Sequence, residues 1–158
     1  MQKISPFIWF DNNAEEAMNL YLSIFKDSKK IRVAYNPPGA PGPAGALLVA
    51  TIQLEGQEIT MMNGGPGHPL TDAFSLTVSC SSQEEVDYYW DKLLAGGGKE
   101  IACGWLKDKF GLYWQITPTV LTQLLSDPDK AKAGRVMQAM MKMIKLDIAT
   151  LKAAADAK

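Results

Sequence analysis

Few side chains in this chain can bind a soft or borderline metal. The two cysteines, Cys80 and Cys103, lie far apart, and the single histidine, His68, sits in a Gly/Pro-rich stretch. Zinc and iron sites draw three or four ligands from His, Cys, Asp and Glu. A metal here would therefore have to lean on carboxylates. Two isolated thiols also make no disulfide framework, and a cytoplasmic location is expected. His68 reads as a solvated loop residue that stays eligible for catalysis if its loop borders a pocket. Cys103 reads as a small buried apolar residue.

Composition restricts the partners. A net charge of −1 over 158 residues gives no electrostatic reason to expect nucleic acid or an anionic membrane. No apolar run approaches the roughly 18 residues that span a bilayer. The opening Met1-Gln-Lys-Ile-Ser-Pro-Phe-Ile-Trp-Phe10 lacks the apolar core and cleavage site of a secretory signal. Apolar content of 47% with 21% charged residues suits a globular chain able to bury a core without staples.

A degenerate repeat supplies the elements that must position any site. Asn13 with Glu16, and Ser82 with Glu85, have the spacing of a capping box. Ala14, Ala17, Met18, Tyr21, Ile24 and Phe25 then recur at helical spacing, as do Val86, Tyr89, Trp90, Leu93 and Leu94. Strand-like stretches precede these helices at Ile4–Phe10 and Ala73–Ser79. Further strands are expected at Lys30–Tyr35, Leu47–Leu54 and Gln57–Asn63, the last two joined by the tight turn Glu55-Gly56. In the second half they are expected at Glu100–Trp105 and Leu112–Thr117. Two such units usually complete one sheet between them.

The Pro/Gly stretch Asn36–Gly45 should be an exposed, mobile connection, with a lid over a pocket as the sharper alternative. Gly64–Pro69 links the modules. After Pro118 the pattern turns helical: Val120–Leu125, then a long segment restarting at Asp127-Pro128 with Pro in the first turn. Its stripe of Val136, Met137, Met140, Met141, Ile144, Ile148 and Leu151 is expected to cover the domain or a second subunit, a ligand groove being the alternative.

Phe7-Ile-Trp-Phe-Asp-Asn-Asn-Ala-Glu-Glu-Ala17, Tyr21, Phe25, Met62-Asn-Gly-Gly-Pro66 and Gly104-Trp-Leu-Lys-Asp-Lys-Phe-Gly-Leu-Tyr-Trp-Gln-Ile-Thr-Pro118 resemble the glyoxalase/bleomycin-resistance, or vicinal oxygen chelate, superfamily. They are similar to its PhnB-like branch, whose members often carry a demethylubiquinone methyltransferase name. The resemblance covers residues 1 to about 125. It implies an α+β fold of paired βαβββ modules, 1–64 and 70–118, forming a curved mixed sheet around a pocket, followed by C-terminal helices over 119–158. It also implies that Gln115 stands where the family normally places a metal-binding carboxylate.

If Gln115 faces the pocket, strand alternation brings Tyr113 and Thr117 with it and turns Leu112, Trp114 and Ile116 toward the helices. Repeat symmetry puts Glu58, Thr60 and Met62 inward, together with Ile4, Pro6, Ile8 and Phe10, and Ala73, Ser75 and Thr77. The family's metal positions become Ile4 or Pro6, Thr60, Ala73 or Ser75, and Gln115. An amide with a hydroxyl or two cannot fix a divalent transition metal, so no metal and no cofactor are expected. What remains is a pocket for a small organic ligand, held by Gln115, Tyr113, Thr117, Ser75, Thr60 and Met62. Glu58 is the candidate general base, unless it sits in water at the strand end. Trp9 and Trp105 are core or pocket wall.

A metal-free, sequestering, homodimeric binding protein is the first expectation. An enzyme of the same fold acting on a small oxygenated substrate is the second, and an interaction protein using the Met-rich helix the third. A methyltransferase is disfavoured: Gly96-Gly97-Gly98 follows a helix and Gly64-Gly65 leads to Pro66, so neither forms the glycine turn of a parallel nucleotide-binding sheet.

Overall fold

The computed structural model describes residues 2–157. They form two compact units that divide between Leu70 and Thr71. Each contains a four-stranded mixed sheet, and the architecture is α+β.

In the first unit the order along the chain is β1 (Phe7–Phe10), α1 (Ala14–Ile24), β2 (Ser28–Tyr35), β3 (Leu47–Leu54) and β4 (Gln57–Asn63). The sheet order is β1-β4-β3-β2, with β1 parallel to β4 and the other pairs antiparallel. The turn between β3 and β4 needs positive φ at both central residues. Glu55 at 46° and Gly56 at 85° provide it, and Leu54 then pairs with Gln57. The apolar face of α1 (Ala14, Ala17, Met18, Tyr21, Ile24) is buried, as are Ala50, Ile52, Ile59 and Met61 of the sheet. Burying each large side chain contributes about 1.5–3 kcal/mol before entropy is counted. The capping box expected at Asn13 is absent, for its side chain makes no cap bond. Asn63 Oδ1 accepts from Ala14 N at 2.8 Å instead.

The second unit repeats the plan: β5 (Ser75–Cys80), α2 (Gln83–Leu94), β6 (Lys99–Glu100), β7 (Trp105–Lys107) and β8 (Tyr113–Pro118), in the order β5-β8-β7-β6. Here the cap holds, since Ser82 Oγ accepts from Glu85 N at 3.3 Å. The Glu85 carboxylate reaches the Ser81 N–H and hydroxyl at 2.6 and 2.9 Å, one residue earlier than the box predicts. The strand expected over Glu100–Trp105 is also corrected. Cys103 and Gly104 take φ of 56° and 84°, breaking the strand into two short pieces, and donate to Met143 O and Ile144 O. A side chain at position 104 would come within 2.8 Å of Leu146 and 2.9 Å of Ile116 O, so glycine is required there.

The C-terminal helices are α3 (Thr119–Leu125), α4 (Lys130–Met140) and α5 (Ile148–Asp156). The long segment expected after Asp127 is therefore broken at Met141. Asp129 rather than Pro128 starts α4, its carboxylate accepting from Ala131 N and Lys132 N. Val136 and Leu151 of the expected stripe join Leu121, Leu146 and Ala155 in a buried cluster, whereas Met137, Met141 and Ile144 are exposed. No helix among the described residues is long and apolar enough to cross a membrane.

Candidate functional site

Residues paired across a ladder share a face, so the register decides which side chains meet. In the first sheet Thr60 pairs with Thr51 and Glu58 with Gln53, while Arg32 lies beside Thr51. Thr60 also pairs with Phe7, and Met62 with Trp9. The face opposite α1 thus carries Phe7 and Trp9 from β1. Ile8 and Phe10, expected there, turn to the other side and are 3% exposed in the core. That expectation is wrong by one residue of phase, which reverses every side chain on a strand.

On this open face a cavity of about 330 Å³ is lined by Glu58, Thr60, Thr51, Arg32, Ser5 and Gln2 among others. The hydroxyls of Thr51 and Thr60 lie 3.0 Å apart and bond to each other. Glu58 is 8% exposed, and Gln2 N donates to its Oε2 at 3.2 Å. It is therefore a buried carboxylate near the start of β4, lining the same cavity as Arg32, and not one in water. The arrangement offers a cation and paired hydroxyls to an oxygen-rich molecule, and a carboxylate able to take a proton from it.

Met62 lies apart from this group. It helps line a larger cavity of about 760 Å³ under the Asn36–Gly45 loop. That loop is not a free connection: Asn36 N donates to Ala46 O at 2.8 Å, Gly45 N to Asn36 O at 2.9 Å, and Asn36 Nδ2 to Pro43 O at 3.3 Å. Trp9 pairs with Met62 and holds the chain beyond β4, its Nε1 donating to Gly65 O at 2.9 Å. The His68 ring leans on it at 4.3 Å between centroids. Position 64 must be glycine, because a Cβ there would fall 2.2 Å from the Trp9 ring.

In the second sheet Ser75 pairs with Tyr113, Thr77 with Gln115, and Ser79 with Thr117. Trp105 and Lys107 face Gln115 and Tyr113 from the other side. All these side chains share one face, while Trp114, Ile116 and Leu106 are buried on the opposite one, as alternation predicts. Gln115 Nε2 donates to Ser75 Oγ at 2.9 Å, and the Lys107 ammonium lies 5.8 Å from the centre of the Tyr113 ring. The buried carboxylate nearby belongs to structure. Asp108 accepts from Phe110 N, Leu112 N and Trp114 Nε1 at 2.9–3.0 Å, closing the β7–β8 loop.

Residues 2–117 match the protein family described as 3-demethylubiquinone-9 3-methyltransferase. The PhnB protein of Bacillus cereus, 36% identical, covers 75% of this chain and all of its own length at a TM-score of 0.69. The chain belongs to that family. A protein of Pseudomonas aeruginosa (19% identity, 75% of this chain and 98% of its own, TM-score 0.58) shares the fold. So does the fosfomycin resistance protein FosX of Mesorhizobium loti (11% identity, 80% and 100%, TM-score 0.57). No curated protein matches the chain. The family match bears out the PhnB-like branch expected within the vicinal oxygen chelate superfamily, and the other two structures show the fold alone.

Many members of that superfamily hold a divalent metal, and the donors on each sheet decide whether one fits here. With the phase corrected, the first sheet offers Ser5 or Phe7 and Thr60 at the metal positions, and the second Ser75 and Gln115. Hydroxyls, a phenyl ring and an amide do not fit a divalent ion. Among the described residues no three His, Cys, Asp or Glu side chains are grouped to hold one. Arg32, Thr51 and Ser5 escaped sequence reasoning. Thr51 was within reach of it: counting back from the Glu55-Gly56 turn pairs Thr51 with Thr60. Arg32 was not, because a register shift separates it from Lys30.

Proposed function

We propose that this PhnB-family protein binds a small oxygenated organic acid without a metal, in the cavity lined by Arg32, Thr51, Glu58 and Thr60. The observation that carries this reading is that Arg32, two mutually bonded hydroxyls and a buried carboxylate line one cavity of about 330 Å³. That volume lies at the small end of ligand pockets. Arg32 takes the ligand's carboxylate, the threonine hydroxyls its neighbouring oxygen, and Glu58 accepts from its hydroxyl. Gln115, Ser75, Tyr113 and Thr117 form a second polar face with the same bias toward oriented hydrogen bonds.

The test is calorimetric titration with lactate, a 2-hydroxy acid of suitable size. Arg32→Gln should weaken it about tenfold or more, the scale of one charged hydrogen bond. Equal affinity in both proteins would remove the assignment.

Glu58 also supports a second reading, an enzyme acting on such a molecule, with this carboxylate as general base. The family's printed name gains no support from the architecture. Each sheet has a single parallel pair, and neither glycine run opens a helix after a strand.

A homodimer is proposed on the exposed apolar residues Met137, Met141 and Ile144, which are 41%, 66% and 50% accessible. Light scattering of Met141→Glu should report a monomer, and an unchanged mass would sink the dimer surface. Two free thiols support a reducing, cytoplasmic setting.

A further inference from the structure

The larger cavity of the first unit has a chemistry of its own. It holds about 760 Å³, and Leu47, Leu48, Met62 and Pro41 give it largely apolar walls. Several of its polar groups are already engaged. Asn63 is spent on structure, accepting from Ala14 N and donating to Leu47 O. The backbone N–H groups of Gly64 and Gly65 go to Phe10 O and Asp11 O. Asn36 is different. The residue is 9% exposed, its Nδ2 donates to Pro43 O, and its Oδ1 is buried with no hydrogen-bond partner. A buried unpaired acceptor costs about 1–3 kcal/mol and marks a place where a donor is missing. The exposed carboxylate of Asp11 borders the same cavity.

We propose that this cavity is a second binding site, distinct from the Arg32–Glu58 cavity, and that it takes a small organic amine with an apolar body. The ammonium donates to Asn36 Oδ1 in the field of the Asp11 carboxylate, and the body lies against Leu47, Leu48 and Met62. An acid is excluded, for it brings an acceptor and a negative charge to an acceptor and a negative charge. The same Asn36 fastens the Pro/Gly loop through its backbone and its Nδ2. Ligand contact at Oδ1 is therefore coupled to the loop that roofs the site.

Amide-resolved NMR titration with three probes of one shape, benzylamine, benzyl alcohol and benzoate, tests this. Benzylamine should shift residues 36–48 and 62–65 and bind at least about tenfold more tightly than benzoate, the scale of one such contact. Asp11→Asn, an exposed substitution that leaves the backbone acceptor of Gly65 in place, should narrow the gap between amine and alcohol. Asn36→Leu should weaken both by about tenfold, the equivalent of one hydrogen bond. Asn36→Leu also loosens the loop; if that variant does not fold, Asp11→Asn and the probe series decide between the outcomes. Benzoate binding as well as benzylamine, shifts mapping elsewhere, or no binding by any probe would overturn the proposal and leave Asn36 Oδ1 to an internal water.

Discussion

Cys80, and not Cys103, is the buried thiol. Cys80 ends β5, fully buried, and burial first and the Glu85 carboxylate second push its thiol up to about 12. A thiol held that high presents almost no thiolate near neutrality. Cys103, expected in the core, is half-buried on a turn with positive φ. Native protein treated with iodoacetamide at pH 8 should be alkylated at Cys103 and spared at Cys80, as read by peptide mass spectrometry. Labelling of Cys80 without unfolding would contradict its burial. At this scale the sequence shows residue types but not exposure. Glu58 looks like a strand-end carboxylate until Gln2 is seen covering it.

Elements were legible where one periodicity ran without interruption. Residues 47–54 and 57–63 were readable to their ends because a two-residue turn fixes both length and register. Short elements were less so. The four residues of β1 contain too little alternation to set the phase, and parallel pairing with β4 sets it instead. The C-terminal stripe suggested one long helix because nothing local marks the break at Met141–Asp147; Gly104 and Cys103 take up those carbonyls from outside. The helices at this end depend on acidic groups. Asp147 starts α5, and the Thr150 hydroxyl first and Thr150 N–H second hold its carboxyl below the ordinary range. Asp87, bonded to Lys145 at 2.7 Å, is lowered chiefly by that lysine. Both folded pKa values lie below the unfolded one, so their stabilisation is complete above about pH 4 and is lost as pH falls through the folded values. Thermal unfolding should show Asp147→Ala about 1 kcal/mol less stable at pH 7, the usual cost of a lost cap. The difference should shrink at pH 2. An equal difference at both would show that the carboxylate charge contributes nothing.

For the whole molecule, a duplicated βαβββ plan is kept, while among the described residues the family's metal positions carry hydroxyl, aryl and amide side chains. Fold and function separate here in physical terms: the sheets need only alternation and buried faces, whereas a metal needs several donors at fixed positions. The fold was therefore readable from periodicity and motif. The first-sheet cavity was only half readable, since it depends on Arg32 crossing a bulge. The most direct test is an amide-resolved NMR titration with lactate, run once in excess chelator and once with added Mn(II). Shifts are expected at Arg32, Thr51, Glu58 and Thr60, with the same affinity in both. Binding that appears only with Mn(II), or shifts that avoid those four residues, would contradict that expectation.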